Sequence, residues 1–307
     1  MAAFDSSPRE VPAAARILVL TALAMLAFAG NSLLCRMALR ETGIDAASFT
    51  TIRLVSGAIV LWLIVRVRSG ARSGGGNWPS AFALFAYAAG FSFAYLSLTA
   101  ATGALLLFGA VQATMIAHGI WAGERLRGRQ LAGLAVALGG MVGLLLPGLS
   151  APPLAGALLM IGAGVAWGIY SLRGKGGGDP TRVTAGNFMR AAPIAAALSL
   201  ATLDALSLDR AGVGYAIASG ALASGVGYAI WYRVLPALKS THAATVQLSV
   251  PVLAAVGGVV FLGEALSLRL VLASTAILGG VALVIAEGRG GRQAAASAAA
   301  SRARPDR

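Results

Sequence analysis

Four uncharged amides, Asn31, Gln112, Asn187 and Gln247, stand inside otherwise apolar stretches of this 307-residue chain. An amide in such surroundings needs a hydrogen-bond partner, so each faces protein or a water-filled cavity. Two readings are open: interhelical hydrogen bonds, or a site that holds an ammonium and a carboxylate without net charge. Aromatic residues keep the same company. Tyr87, Phe91 and Tyr95 fall at i, i+4 and i+8, on one face of a helix. Trp167 and Tyr170 are similarly placed farther along. These rings form either a packing row or a cavity wall whose hydroxyls and π-faces meet a small amphipathic ligand.

Charge inside the apolar stretches is scarcer still. Arg53 and Arg190 each lie about two turns from the end of their helix. Either snorkels to the nearer interface or supplies an anion-binding cation for a substrate carboxylate. None of the 11 carboxylates falls in the middle of a stretch. An intramembrane carboxylate is the usual proton relay and the counter-ion for cationic substrates, so its absence argues against proton-coupled export of cationic drugs. Glu124 and Glu264 sit at helix ends, where closing the turn is the simpler role. Pro251 removes a backbone donor mid-stretch. With Gly109, near its counterpart in an earlier stretch, it is the hinge candidate, set against a static kink.

Enzyme chemistry has little to work with. The single cysteine, Cys35, excludes a disulfide framework or a multi-cysteine metal centre. No Gly-x-Ser-x-Gly, His-Glu-x-x-His, Cys-x-x-Cys or intact Walker loop occurs. No catalytic residue, metal or cofactor is expected.

The elements that would position these residues follow from composition. The chain is 58% hydrophobic and 11% charged, where an average soluble domain carries roughly a quarter charged residues. Segments of about 20 apolar residues cross a bilayer as helices, and ten are expected: 17–39, 46–66, 78–98, 102–123, 130–147, 154–172, 182–203, 211–234, 241–262 and 268–286. The fold class is therefore an all-α membrane protein. A cytoplasmic N-terminus places eighteen of the 24 Lys and Arg inside and four, Arg36, Arg40, Arg210 and Arg269, outside; Arg53 and Arg190 lie within spans. The positive-inside rule then puts both termini in the cytoplasm. It accounts for the net charge of +13 through anionic headgroups, without nucleic acid. Residues 1–16 and 287–307 read as cytoplasmic tails, the second disordered, and no signal-peptide layout precedes the first span.

An internal repeat organises the spans. Gly123-Glu124-x-Leu126-x-x-Arg129 with Leu138-Gly139-Gly140 recurs as Gly263-Glu264-x-Leu266-x-x-Arg269 with Leu278-Gly279-Gly280. Upstream, Asp45 pairs with Asp179 and Thr50 with Thr184. The copies occupy 17–147 and 154–286. Five spans per copy make the second enter the membrane upside down. Arg125 and Arg127 stand in the first loop, where the second has Ala265 and Ser267, as positive-inside selection on opposite sides requires. Inverted repeats are characteristic of secondary transporters with a midplane site.

This pattern resembles the drug/metabolite transporter superfamily, in its EamA-like ten-helix branch. The features that carry the resemblance are the 5+5 arrangement, the Gly-Glu-x-Leu step before a Gly-Gly-bearing helix, Ala166-Trp167-Gly168, and the stretch Leu248–Pro251. Within that branch it is similar to the YddG-type amino-acid exporters. It departs from the usual pattern at Phe28-Ala29-Gly30-Asn31, where a Trp-Gly pair is common, and lacks the aromatic-plus-Pro motif in the fourth helix.

The resemblance implies an inner-membrane secondary transporter exporting small neutral metabolites, with amino acids such as methionine, threonine or aromatic ones first. Access would alternate around a midplane cavity formed by the first four helices of each half. Asn31, Tyr87, Phe91, Tyr95, Gln112, Trp167, Tyr170, Asn187 and Gln247 are the expected substrate contacts. The alternative is a transporter of another class (nucleosides, sugar phosphates, organic acids) or a drug exporter. The partners are a small-molecule substrate and the lipid bilayer, with no nucleic acid, and the chain is expected as a monomer or weak homodimer.

Overall fold

The computed structural model describes the backbone of residues 13–69, 75–123, 126, 128–148, 151–174, 178–238, 243 and 246–302. The expectations for Glu124, Arg125 and Arg127 lie outside the described residues. Among those described, all regular structure is helical. In order these are α1 (Ala13–Glu41), α2 (Ala46–Ser69), α3 (Trp78–Tyr95), α4 (Ala100–Trp121), α5 (Gly128–Leu145), α6 (Leu154–Arg173) and α7 (Pro180–Ala201). Next comes α8, a rod that starts as Arg210–Ile217, passes through a π-helical segment Ala218–Val226 and continues as Gly227–Val234. Last are α9 (Ser249–Leu262) and α10 (Leu268–Arg302).

Among the described residues seven helices are long and apolar enough to cross a membrane: Ala15–Glu41, Ala46–Arg68, Ala100–Trp121, Gly128–Leu145, Leu154–Arg173, Arg210–Ala237 and Leu268–Ile285. The bundle is sheathed in exposed Leu, Val, Ile, Phe and Trp, with Trp121 at 88% and Val67 at 86% exposure. A water-soluble protein does not present such a continuous apolar sheath, so lipid is its solvent. Small residues and rings fill the interior instead, because the hydrophobic effect supplies no drive between helices in lipid and close contact must.

Local chemistry sets the helix ends. Asn77 accepts from the Ser80 N–H to cap α3, Thr99 from Thr102 to cap α4, and Asp179 from Thr181 to cap α7. Gly263 ends α9 in the left-handed conformation, φ 60°, that glycine adopts without penalty. α10 runs on to Arg302, past residue 286 and into the tail expected as disordered. From Ala294 on its sequence is rich in alanine, the strongest helix former.

Pro251 stands differently from expectation. The unbroken part of α9 begins at Ser249, after a turn at Leu248, so the proline lies in its first turn rather than mid-helix. A proline ring excludes the carbonyl four residues earlier, which is that of Gln247. α4 runs through Gly109 without a break. A Cβ there would press on Met141 and Ile277, at 2.9 and 3.3 Å, so this glycine admits α5 and α10 closely.

The packing partners are specific. α2 lies along α7, and α5 along α10; α3 lies on α6 and α7, and α8 on α1 and α2. α4 lies on α6 and α9, and α1 on α9. At the end where α1 gives way to α2, two aspartates clasp the halves. Asp45 accepts from Ser48 N–H at the start of α2 and from Ser207 N–H across the interface, at 2.8 and 3.1 Å. Asp209 accepts from Gly212 N–H at the start of α8 and from Gly43 N–H, at 2.8 and 2.5 Å. Partial burial pushes the Asp45 carboxyl up, but hydrogen bonds from Ser48, Ser207 and Ala47 outweigh it and hold it below the usual aspartate value. The bond from Gly212 does the same for Asp209.

Candidate functional site

A cavity lies where α1, α3, α4, α6 and α8 converge with the residues leading into α9. Its volume is about 50 Å³, room for several waters where one needs about 10–15 Å³. Phe28, Asn31 and Ser32 of α1 meet Tyr87 and Phe91 of α3 on one side. Trp167 and Ser171 of α6, Tyr228 of α8 and Gln247 stand opposite, with Leu107 and Phe108 of α4 and Ala223 closing the rest. α5 and α10 contribute nothing to this lining, and neither do α2 and α7.

Trp167 is the centre of the aromatic wall. Its ring lies 4.8 Å from Tyr87, 5.2 Å from Tyr228 and 5.3 Å from Tyr170, centroid to centroid. Phe28 meets Tyr228 edge-on at 5.7 Å, and Tyr87 continues to Phe91 at 5.5 Å. Contacts at 4.5–7 Å in tilted or edge arrangements are the favourable ones for such rings. The helices can approach closely enough because α6 is bare where it meets α4. A Cβ on Gly164 would lie 2.6 Å from Ala110 Cβ and Leu107 O, and one on Gly168 2.8 Å from Thr114 Cβ. This Gly-x-x-x-Gly pair therefore packs within the chain. A Cβ on Gly139 or Gly143 of α5 would meet nothing within 4 Å, whereas α5 meets α10 through Gly133 and Gly140.

A polar thread crosses the wall. Ser219 Oγ, in the π segment of α8, donates to Asn31 Oδ1 at 2.7 Å. Asn31 Nδ2 donates to Tyr87 Oη at 3.3 Å, and Arg53 Nη2 donates to the same oxygen at 2.9 Å. Four helices are joined by these three bonds. The π segment sits on α2 so tightly that a Cβ at Gly220 would strike the Arg53 carbonyl and the Ser56 hydroxyl. π-Helical interruptions of α-helices recur at functional sites.

Of the nine expected contacts, Asn31, Tyr87, Phe91, Trp167 and Gln247 line the cavity and the other four stand outside its lining. Tyr95 is buried, donates to Ala100 O at 3.3 Å and packs over Gly103. Gln112 is buried in α4. Tyr170 accepts from Asn187 Nδ2 at 3.4 Å, and Asn187 Oδ1 accepts from Asn77 N–H at 2.9 Å, so Asn187 ties α7 to the start of α3. Phe28, Ser32, Phe108, Ser171 and Tyr228 were not singled out by residue type. The repeat offset of 140 residues carries Tyr87 to Gly227, one residue short of Tyr228, and that is the signal that would have found it.

The two arginines part company. Arg190 Nη1 donates to the carbonyls of Gly75 and Gly186, at 2.8 and 2.9 Å, and so fastens the residues before α3 onto α7. Arg53 does not snorkel: it is 1% exposed. Its guanidinium carbon lies 5.2 Å from the Tyr87 ring centre and 4.8 Å from that of Phe91. Among the described residues no group of three or more His, Cys, Asp or Glu could hold a metal ion. A larger groove of about 440 Å³ lies between α4, α9 and α10. Its walls include the exposed Val252, Leu266 and Val271, so it is a lipid-facing surface without convergent polar groups.

The chain is similar to known membrane proteins. Residues 154–286 match the EamA-like transporter family. PA1977, an uncharacterized protein of Pseudomonas aeruginosa, is 58% identical over 283 residues, covering 91% of this chain and 99% of the relative. The threonine/homoserine exporter RhtA of Salmonella typhimurium is 34% identical over 131 residues, 41% of this chain and 43% of the exporter. One crystal structure superposes with a TM-score of 0.63 over 88% of this chain and 97% of that one, at 20% identity, which is a likeness of fold. The chain is a multi-pass membrane protein with a domain, residues 154–286, that belongs to the EamA-like transporter family of the drug/metabolite transporter superfamily.

Proposed function

We propose that this transporter is a bacterial inner-membrane exporter of small neutral metabolites, amino acids first. The observation that carries this reading is the cavity: its walls come from both halves of the chain, are aromatic and amide, and include no carboxylate. Rings bind an apolar side chain, while Asn31, Gln247 and the tyrosine hydroxyls address polar ends. A cavity of this size does not admit a bulky drug. The partial similarity to a threonine/homoserine exporter supports the same class.

Ten spans in two inverted five-helix copies, with both termini cytoplasmic, complete the reading; α3, α7 and α9 join the seven strongly apolar spans. The packing supports the repeat. Replacing each helix by the one five places on, with the second copy returning to the first, maps α3 on α6 to α8 on α1 and α4 on α6 to α9 on α1. It leaves α2 on α7, α4 on α9 and α5 on α10 unchanged. Access to the midplane would alternate between the two sides. The turn at Leu248, beside Gln247 and just before Pro251 in the first turn of α9, is the hinge; the unbroken α4 at Gly109 moves as a rod. Without an intramembrane carboxylate, transport runs down the substrate gradient.

The test is uptake into proteoliposomes from a labelled panel of amino acids, nucleosides and organic acids, with and without an imposed pH gradient. Saturable uptake of neutral amino acids, indifferent to the gradient, is expected. Uptake confined to nucleosides removes the substrate class, and proton movement of fixed stoichiometry removes the uncoupled mechanism.

A further inference from the structure

Arg53 is a full charge placed where charge is costly, and the fold gives it two ring faces and one hydroxyl but no anion. Its Nε and Nη1 are buried without any hydrogen-bond partner, and no described carboxylate pairs with it. Arg36, by contrast, is matched by Glu264, and Arg190 by two carbonyls. An intramembrane cation left in this condition calls for an anion that arrives from outside the chain.

The route from that charge to the cavity is Tyr87. Its oxygen accepts from Arg53 and from Asn31, and the Asn31 amide is held in that orientation by the Ser219 hydroxyl on its oxygen. Two donors occupy both lone pairs of the phenol oxygen. The hydroxyl hydrogen is then free only to be given away, and no described residue accepts it. The ring that carries it lines the cavity. A cation behind the oxygen makes this hydroxyl a stronger donor, as charge-assisted bonds are.

The charge is also one-sided. The spacing of 134 residues that pairs Asp45 with Asp179 and Thr50 with Thr184 pairs Arg53 with Asn187. Each touches a tyrosine hydroxyl, Tyr87 or Tyr170, but only the first-half copy is ionic. The cavity wall is therefore backed by this cation on the first-half side, through Tyr87.

We propose that Arg53 and Tyr87 form a carboxylate-recognition site in the cavity wall, so that an ionised carboxyl group is the feature every substrate must carry. Tyr87 donates to one carboxylate oxygen, and Arg53 supplies the countercharge through it. The amino group and side chain are left to the amides and rings, which makes them the tolerant part of the ligand. The proposal rests on reading this cavity as the transport site.

Three matched sets test it on the purified protein in nanodiscs: threonine, methionine and phenylalanine, each with its amide and its 2-hydroxy acid. Binding is followed by displacement of whichever labelled carboxylic acid binds. The acids should bind roughly 10- to 100-fold more tightly than the amides, the difference expected of one hydrogen bond to a charged group. The hydroxy acids should stay close to the amino acids. Arg53→Gln should erase the preference, Arg53→Lys retain part of it, and Tyr87→Phe reduce it while leaving the ring in place. If Arg53→Gln does not yield a monodisperse protein, Tyr87→Phe alone decides. Equal binding of acid and amide by the unmodified protein, a preference unchanged in these variants, or no binding by any carboxylate overturns the proposal. Binding of hydroxy acids but not amino acids upholds it and removes the amino-acid reading instead.

Discussion

Arg36 and Glu264 meet at 3.2 Å, Nε to Oε1, across 228 residues of sequence, and neither faces solvent. The second carboxylate oxygen accepts from Ala100 N–H at 2.8 Å, at the first residue of α4, while Arg36 Nη1 donates to Tyr95 O at 2.7 Å, the last residue of α3. One ion pair thus joins α1 and the α9–α10 turn to the α3–α4 connection. A negative charge at the start of α4 also complements that helix's dipole.

Removing one member of this pair strands the other in a buried place. Glu264→Ala is expected to cost about 3–5 kcal/mol, the usual price of an orphaned buried charge, and Glu264→Gln less because it still accepts from Ala100. Thermal unfolding in a fixed detergent, compared across the three proteins, checks the order. Equal transitions would show that the pair contributes nothing.

The two faces of α6 predict opposite signs for the same substitution. Gly164 has Ala110 Cβ and Leu107 O within 2.6 Å of where a methyl would stand, whereas Gly162 has nothing within 4 Å. Gly164→Ala should destabilise by about 1–3 kcal/mol through overpacking. Gly162→Ala should stabilise by roughly 0.5–1 kcal/mol through helix propensity. The pair is measured side by side, since each serves as the other's control.

Trp167 touches three tyrosine rings at the cavity. Trp167→Phe keeps an aromatic body but loses part of those contacts. Substrate affinity should fall by about threefold to tenfold, matching the 0.5–1.5 kcal/mol of one aromatic pairing. Tyr95→Phe, behind the wall, should leave affinity alone. Both are read from concentration dependence of uptake.

The aspartate clasps give a pH dependence with a definite sign. Both carboxyls are held below their ordinary value of 3.8, so folding favours the ionised forms. Their contribution is complete above that value and disappears as pH falls through the depressed folded values. Thermal stability should be insensitive to Asp45→Asn at very low pH and sensitive to it at neutral pH. An equal effect at both ends would remove carboxylate ionisation as the source.

Much of the architecture was legible in one dimension because lipid imposes a simple rule: spanning backbone must satisfy itself, so long apolar runs become helices. The spans predicted at 46–66 and 154–172 match α2 and α6 within a few residues, and the Gly-Glu repeat marks the turn that ends α9. Residue type likewise pointed to Asn31, Tyr87, Phe91, Trp167 and Gln247, because polar and aromatic groups are conspicuous among Ala, Leu and Val.

Sequence by itself determined the class of protein, the helix boundaries near polar loops, and the shortlist of groups able to do chemistry. It could not say which partner each group takes, since that partner usually stands on another helix, 34 positions away for Arg53 and Tyr87 and 188 for Asn31 and Ser219. Only the tertiary structure decided that Arg190 is consumed by the carbonyls of Gly75 and Gly186 while Arg53 stays buried behind Tyr87. Only it turned Tyr95, Tyr170 and Asn187 to supporting contacts and brought Tyr228 to the wall. Helical periodicity fixes the face on which a side chain lies, whereas the helix that covers that face is chosen by close packing at bare positions such as Gly164 and Gly220.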